Sequence, residues 1–440
     1  MPLVVSFTFR FLFTLVDLIY AAEIKEEVPY GVAAIGLFIP IQTLFIALWA
    51  GLSAGFTATM SQAFGKRDQQ RVVALKRAMI KVHIGLVPIL LALGAAVYLG
   101  TPALGLDAEL QRDFLTYSLI LILTMPFAGL LSIYPDSIVK AHHDTMSTMK
   151  AGILSTIVNV ALNTVFVFVF HWGIAGIATA TALSRYAGLG YAAMRVRALE
   201  AKRLAGDWDT GPSTWRRGPL ADILVLAIPG SLAYSLVLCE ESLLTTLLTY
   251  QEDAEVFLAA YAVFNRLTSL AIMPAIATAV AVLPFAARLV AEGECAKVRQ
   301  ELLRAGLATA ALAVAIAIPI GWIFSRPVAE FFSESPEQAE ASLSYLALIP
   351  LSALSILPYL MLRPVFEAVG RPRVGIRLAA LKTAAFSVPC ILSGYGAAPA
   401  LGIDRLTGIL LGVICAQVLT SVATTILSRN VLREPDAPAV

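Results

Sequence analysis

Charge is the scarcest property of this sequence. Only 14% of its residues are Asp, Glu, Lys or Arg, while 58% are hydrophobic, against roughly 25% and 45–50% in a soluble globular protein. That deficit excludes a water-soluble fold and leaves an integral membrane protein. An excess of one sign is missing too: the formal net charge is +2 and the basic residues are scattered, so no nucleic-acid partner is expected. The four cysteines, Cys239, Cys295, Cys390 and Cys415, imply neither a disulfide framework nor a metal cluster, and three of them read as small packing residues inside apolar segments. No convergent nucleophile and base stands out, so an enzyme is not expected. No basic segment or cleavage site precedes the first apolar run, so no removable signal peptide is expected. The short alternating segments of a β-barrel are lacking as well, and open sheet edges cannot face lipid. Helices remain.

What is present is a series of apolar runs of about 20 residues, the length that crosses a bilayer as a helix. They fall near 2–22, 31–56, 77–100, 114–139, 149–171 and 173–194, then 221–250, 256–288, 302–325, 340–368, 374–397 and 404–428. The expected fold is an all-α integral membrane protein with about 12 transmembrane helices in two six-helix lobes. Residues 195–220, RVRALEAKRLAGDWDTGPSTWRRGPL, are the one long polar and basic stretch and divide the chain into an N-lobe, 1–194, and a C-lobe, 221–430, with a tail at 431–440. The connections alternate in charge: Glu23, Glu26 and Glu27 follow the first run, Lys66, Arg67, Arg71, Lys76 and Arg77 the second, and Asp107, Glu109 and Asp113 the third. The basic connections are expected on the cytoplasmic side, which puts the linker and both termini there, in a plasma (inner) membrane. AAIGLFIPIQTLFIALWAG from Ala33 slides onto AAYAVFNRLTSLAIMPAIA from Ala259 at an offset of 226. Six spans per half is an even number, so the halves share one orientation, a parallel 6+6 pseudo-repeat.

These segments resemble one family in order along the chain. PLVVSFTFRFLFTLVD is similar to the first helix of the multidrug and toxic compound extrusion (MATE) transporters, with Pro2 and Asp17 at that helix's proline and aspartate. GVAAIGLFIPIQTLFIALWAGLSAGFTATMSQAFGKRD resembles its second helix, and IVNVALNTVFVFVFHWGIAGIATATALS its fifth and sixth, with Asn159 and Thr181 at the motif positions. The resemblance implies alternating-access efflux of a small organic solute, driven by inward Na⁺ or H⁺, by a monomer in the lipid bilayer that needs no cofactor. It also implies a cation-responsive cluster of Asp17, Asn159, Asn163 and Thr181, which is where any Na⁺ would bind. Two departures stand out. Asn163 replaces a frequent Asp, and Arg10 stands where the family usually has Gln.

Charged residues inside apolar runs are costly, on the order of 2.5–3.5 kcal/mol each at mid-bilayer, so each asks for a partner or a polar cavity. Asp17 either reaches the outer interface without a role or titrates. Arg10, on the same helix face and roughly 10 Å away at 1.5 Å per residue, and Arg185 either brace Asp17 or bias the cavity towards an anionic solute. In the second half, Glu240 and Glu241 project about 100° apart, so only one is expected to face a cavity, and Glu240 is the candidate. It is either a C-lobe cation site or the ion-pair partner of Arg266 on the neighbouring span. His83 and Lys81 are expected to snorkel towards the interface, and His142 and His143 to lie in a solvated loop. GLGYAA at 188–193 has the letters of a dinucleotide fingerprint but reads as close helix packing. The alternative function is a lipid-linked oligosaccharide flippase of the same superfamily, with Arg10, Arg185 and Arg266 binding a diphosphate.

Overall fold

A computed structural model describes residues 16–17, 19–21, 23, 31–104, 106, 108–206, 217–251, 254–332, 336–369 and 371–433, and these contain no β-strand. The first half contributes α1 (Gly31–Gly65), α2 (Gln69–Gly100), α3 (Ala108–Thr124), α4 (Ile133–Ala141), α5 (Thr145–Thr164) and α6 (Gly173–Leu204). The second contributes α7 (Pro219–Thr249), α8 (Ala254–Ala291), α9 (Cys295–Ile318), α10 (Ser325–Phe332), α11 (Pro336–Leu346), α12 (Ile349–Ala368), α13 (Pro372–Leu381), α14 (Val388–Ala397) and α15 (Arg405–Arg433). Wider π turns at Met125–Leu130, Val165–Val169, Pro319–Ile323 and Lys382–Ser387 follow α3, α5, α9 and α13. The chain forms two compact units, Met1–Ile228 and Pro229–Val440.

Nine stretches among the described residues are long and apolar enough to cross a membrane. The other three expected spans fall short for separate reasons. The first lies mostly outside the described residues. The fourth is divided between α3 and α4 by the turn at 131–132, and the sixth is diluted by the small residues of GIAGIATATALSRYAGLGYAA. Helix α2 shows what the apolar surplus is for: Ile84, Ile89, Tyr98 and Leu99 are 58–75% exposed. An uncovered stripe of that size is abnormal in water and natural against lipid.

Each unit closes around its own core. In the first, Phe56, Met60, Leu75, Met79, Ile122, Ile138 and Ile177 are enclosed; in the second, Leu248, Leu346, Ile349, Leu406 and Ile409 are. The α1–α2 turn places Arg67 at φ 52° and then caps α2 with Asp68, which accepts the Arg71 N–H at 2.7 Å. Gly293, at φ 83°, and the N-cap Glu294 make the equivalent turn before α9. Both positions differ by the offset of 226 that relates the two halves of the sequence, so the pseudo-repeat extends to backbone conformation.

Three local expectations need correction. Helix α6 runs to Leu204, through the first residues assigned to the linker, because RALEAKRL consists of strong helix formers and its charges find partners. Glu200 accepts from Lys76, from His142 Nε2 at 2.9 Å and from Arg203 Nη2 at 2.7 Å. His142 is therefore not a solvated loop residue: its ring also lies 4.5 Å from that of Phe64. His83 does not snorkel. It is buried, with Nδ1 2.9 Å from the Met79 carbonyl and Nε2 2.6 Å from that of Leu130, the last residue of the π turn.

Candidate functional site

Asn159 and Asn163 are four residues apart on α5 and so project from one face. Helix α6 packs closely there: a Cβ on Gly188 would stand 3.1 Å from the Ala151 carbonyl, and Ser155 Oγ donates to the Ser184 carbonyl at 2.9 Å. That close approach, rather than a nucleotide, is what GLGYAA serves. It brings Thr181 opposite the two asparagines, and Asp17, 5% exposed, enters among them. Thr181 Oγ1 donates to Asp17 Oδ2 at 2.6 Å, while Asn163 Nδ2 and Asn159 Nδ2 donate to Oδ1 at 3.3 and 3.4 Å. Asn159 Nδ2 also donates to Thr181 Oγ1 at 3.2 Å.

The three donors suit an ionised carboxylate. What they leave over is more informative: Asn159 Oδ1 and Asn163 Oδ1 are both buried without a hydrogen-bond partner. Orphaned buried acceptors cost about 1–3 kcal/mol each. Half a turn of either amide exchanges nitrogen for oxygen, so the cluster can offer up to four side-chain oxygen ligands, from Asp17, Asn159, Asn163 and Thr181. That set fits a hard cation, and it equally gives an acceptor to the O–H of a protonated Asp17.

Tyr20, one turn beyond Asp17, fastens this segment to α5 through a 2.6 Å hydroxyl–hydroxyl hydrogen bond with Thr164. Arg185 is half-buried one turn after Thr181, with Nη1 3.4 Å from Met125 Sδ, and its charge acts on Asp17. Tyr117, in the core, is subject to both of those charges; a lone tyrosine in an apolar run gives no sequence signal of this. Arg10 lies outside the described residues.

In the second unit Glu240 does not pair with Arg266, which is exposed. Its carboxylate accepts from Lys382 through Oε2, and from Thr383 Oγ1 through Oε1 at 2.5 Å. Depth along the membrane made Arg266 a candidate, but depth does not fix the direction in which a side chain points. Glu241 is exposed and its side chain makes no hydrogen bond or ion pair among the described residues. Arg363 and Glu367, on one face of α12, form a second pair at 3.2 Å. The Arg363–Glu367 pair follows the i,i+4 spacing of one helix, whereas the pairing of Lys382 with Glu240, 142 residues away, has no such signal.

At the end of the first unit that carries the basic connections, burial alone would raise the Glu200 carboxyl, but the hydrogen bonds from His142, Arg203 and Lys76 outweigh it and hold the group well below the usual carboxylate range. Asp144, which caps α5 and pairs with Arg195 at 2.7 Å, is likewise held low: burial opposes the shift, and the Arg195 and Ser147 hydrogen bonds prevail.

One protein family, MatE, matches this chain over residues 2–165 and 231–391. The chain belongs to the MatE family. Being a MatE protein, it is a multi-pass membrane transporter, and its family is one of transporters rather than enzymes. The matched stretches end 226 residues apart, again the offset between the two halves. Among curated MatE relatives, the probable multidrug resistance protein YoeA of Bacillus subtilis is 26% identical over 70% of this chain and 66% of its own length, so the match spans just under two thirds of that relative. A FAD transporter of Shewanella oneidensis is 24% identical over 95% of this chain and 90% of its own. Solved MATE structures share the fold. The bent form of the Vibrio cholerae transporter VcmN superposes with a TM-score of 0.85 at 22% identity, covering 99% of this chain and 95% of that one. A Pyrococcus furiosus transporter of the MOP superfamily, described as having a binding pocket of reverse polarity, gives the same TM-score, identity and coverage. The architecture is thus the all-α, twelve-helix, two-lobe fold expected from the hydropathy pattern.

Proposed function

We propose that this MatE protein is an efflux antiporter in which an inward-moving cation, H⁺ or Na⁺, binds at Asp17 and exchanges for an outward-moving organic solute by alternating access. The reading is carried by the two orphaned amide oxygens, Asn159 Oδ1 and Asn163 Oδ1, beside a carboxylate already bonded to neutral donors. None of these donors carries a charge, so a cation arriving at Asp17 meets an acid that they do not neutralise, and it supplies what the amide oxygens lack. Ion arrival and departure then change the hydrogen bonds joining the first segment to α5 and α6, and that is the structural event coupled to access. For an uncharged solute, one charge moving down 100 mV releases about 2.3 kcal/mol, enough for a roughly 50-fold solute gradient at about 1.4 kcal/mol per decade; a monovalent cationic solute cancels that charge movement, and its export draws on the ion's concentration gradient alone. The alternating charge of the connections supports a cytoplasmic linker and cytoplasmic termini.

The test is transport of a cationic dye into or out of proteoliposomes under separate Na⁺ and H⁺ gradients, with the unaltered protein and Asp17→Asn. Dye flux should follow one gradient and vanish in the variant. Unchanged coupling in a folded Asp17→Asn protein would overturn the reading. A second solute class is favoured by one combination of facts: Arg185 stands next to the Asp17 site, and a relative aligned over nearly the whole chain is named for FAD, an anion with a diphosphate. FAD belongs in the same assay.

A further inference from the structure

The second unit contains a carboxylate site of the same general make as the first, with one addition. Glu240, on α7, receives a hydroxyl from Thr383 at 2.5 Å, as Asp17 does from Thr181 at 2.6 Å. An aromatic face, that of Tyr359 on α12, lies nearby. Carboxylate, hydroxyl and ring face together make a small-cation site. A cation is already there: the Lys382 ammonium is bonded to Glu240 Oε2 and stands 6.0 Å from the Tyr359 ring centroid. Lys382 and Thr383 open the π turn Lys382–Ser387 and are both buried.

We propose that Lys382 is a tethered cation: it takes at Glu240 the place that a free cation takes at Asp17, so the second unit's carboxylate is permanently filled and one cation couples each transport cycle. The proposal rests on the reading of Asp17 as the coupling site. It explains why two such unlike acids persist inside one membrane protein. Two unpaired carboxylates would draw two cations per cycle, whereas a paired one holds its neighbourhood neutral without drawing any.

The test counts cations on the purified full chain, as ²²Na⁺ bound at pH 8 and as protons taken up between pH 8 and pH 5.5. Lys382→Met should gain one equivalent in one of these measurements, Lys382→Arg none, and adding Glu240→Gln to Lys382→Met should remove the gain. Adding Glu241→Gln instead should not. The same increments are expected on an Asp17→Asn background, where the Asp17 equivalent itself is lost. An Asp17→Asn protein that loses nothing therefore counts against the Asp17 reading alone. A folded Lys382→Met protein that gains no cation overturns the tethered-cation proposal, as does a gain abolished by Glu241→Gln. If Lys382→Met does not fold, the unaltered protein decides. The gradient at which solute flux reverses gives the coupling number; one cation per solute is expected, and two would overturn the proposal.

Discussion

Asp17 and Glu240 are both carboxylates inside apolar helices, and the chain treats them in opposite ways. Asp17 meets a hydroxyl and two amides, all neutral, which stabilise its charge without cancelling it. Glu240 meets an ammonium, which cancels the charge locally. The difference lies in the donors rather than in the acid: those of Asp17 carry no charge, and one of those of Glu240 does.

The strongest way to break the comparison is to unpair Glu240. Removing one member of a buried ion pair typically costs about 3–5 kcal/mol, so Lys382→Met should lower the thermal unfolding midpoint markedly. Adding Glu240→Gln should restore most of it. A midpoint unchanged in the single variant would mean that the pair is not closed in the membrane.

A smaller effect is expected at the first site. Thr181→Val removes a hydrogen bond to a charged acceptor, worth about 1.5–3 kcal/mol. Cation affinity measured in proteoliposomes should shift roughly 10- to 100-fold, downwards for Na⁺, which loses an oxygen ligand, and upwards for H⁺, because the lost hydroxyl favours the ionised carboxyl, with Thr181→Ser close to the unaltered protein. A shift of the same size on Thr383→Val would erase the distinction between the two sites.

The Glu200 network sharpens the contrast from outside the membrane, since its carboxylate is met by charged donors on several sides. Its carboxyl is held below its unfolded value. The stability it contributes is therefore fully present above the ordinary glutamate value, about 4.3, and is lost as pH falls through the depressed folded value. Thermal midpoints taken from pH 7 down to pH 3 should drop less steeply for Glu200→Gln than for the unaltered protein, while solute coupling at pH 7 keeps its ion dependence. The smallest effect belongs to Arg266→Gln. As a residue that does not pair with Glu240, it should lower the unfolding midpoint far less than Lys382→Met does; a loss of the same size would restore the pairing that depth alone suggests.

Hydropathy and the charge of the connections made the helices and their grouping legible, because both follow from the bilayer itself. The Asp17 cluster was legible for a different reason: Asn159 and Asn163 share a helix face by spacing, and Thr181 and Asp17 stand at positions that the MATE resemblance marks. What stayed hidden depended on direction around a helix axis. Glu240 finds Lys382, 142 residues along the chain, because the π turn at Lys382–Ser387 aims that lysine inwards. Another π turn, at Met125–Leu130, presents the carbonyl that captures His83. Such turns leave no mark on an apolar run, so the partners they provide for His83 and Glu240 were not foreseen. The extension of α6 to Leu204 was hidden similarly, since its charges look solvated until Lys76 and His142 are brought to Glu200.

The most direct measurement is infrared difference spectroscopy of the reconstituted protein on adding the coupling cation, which reports the carboxyl group that changes state. A cation-dependent carboxylate band that disappears in Asp17→Asn and persists in Glu240→Gln is the predicted result. A band that persists in Asp17→Asn and disappears in Glu240→Gln would contradict it, placing the mobile ion in the second unit.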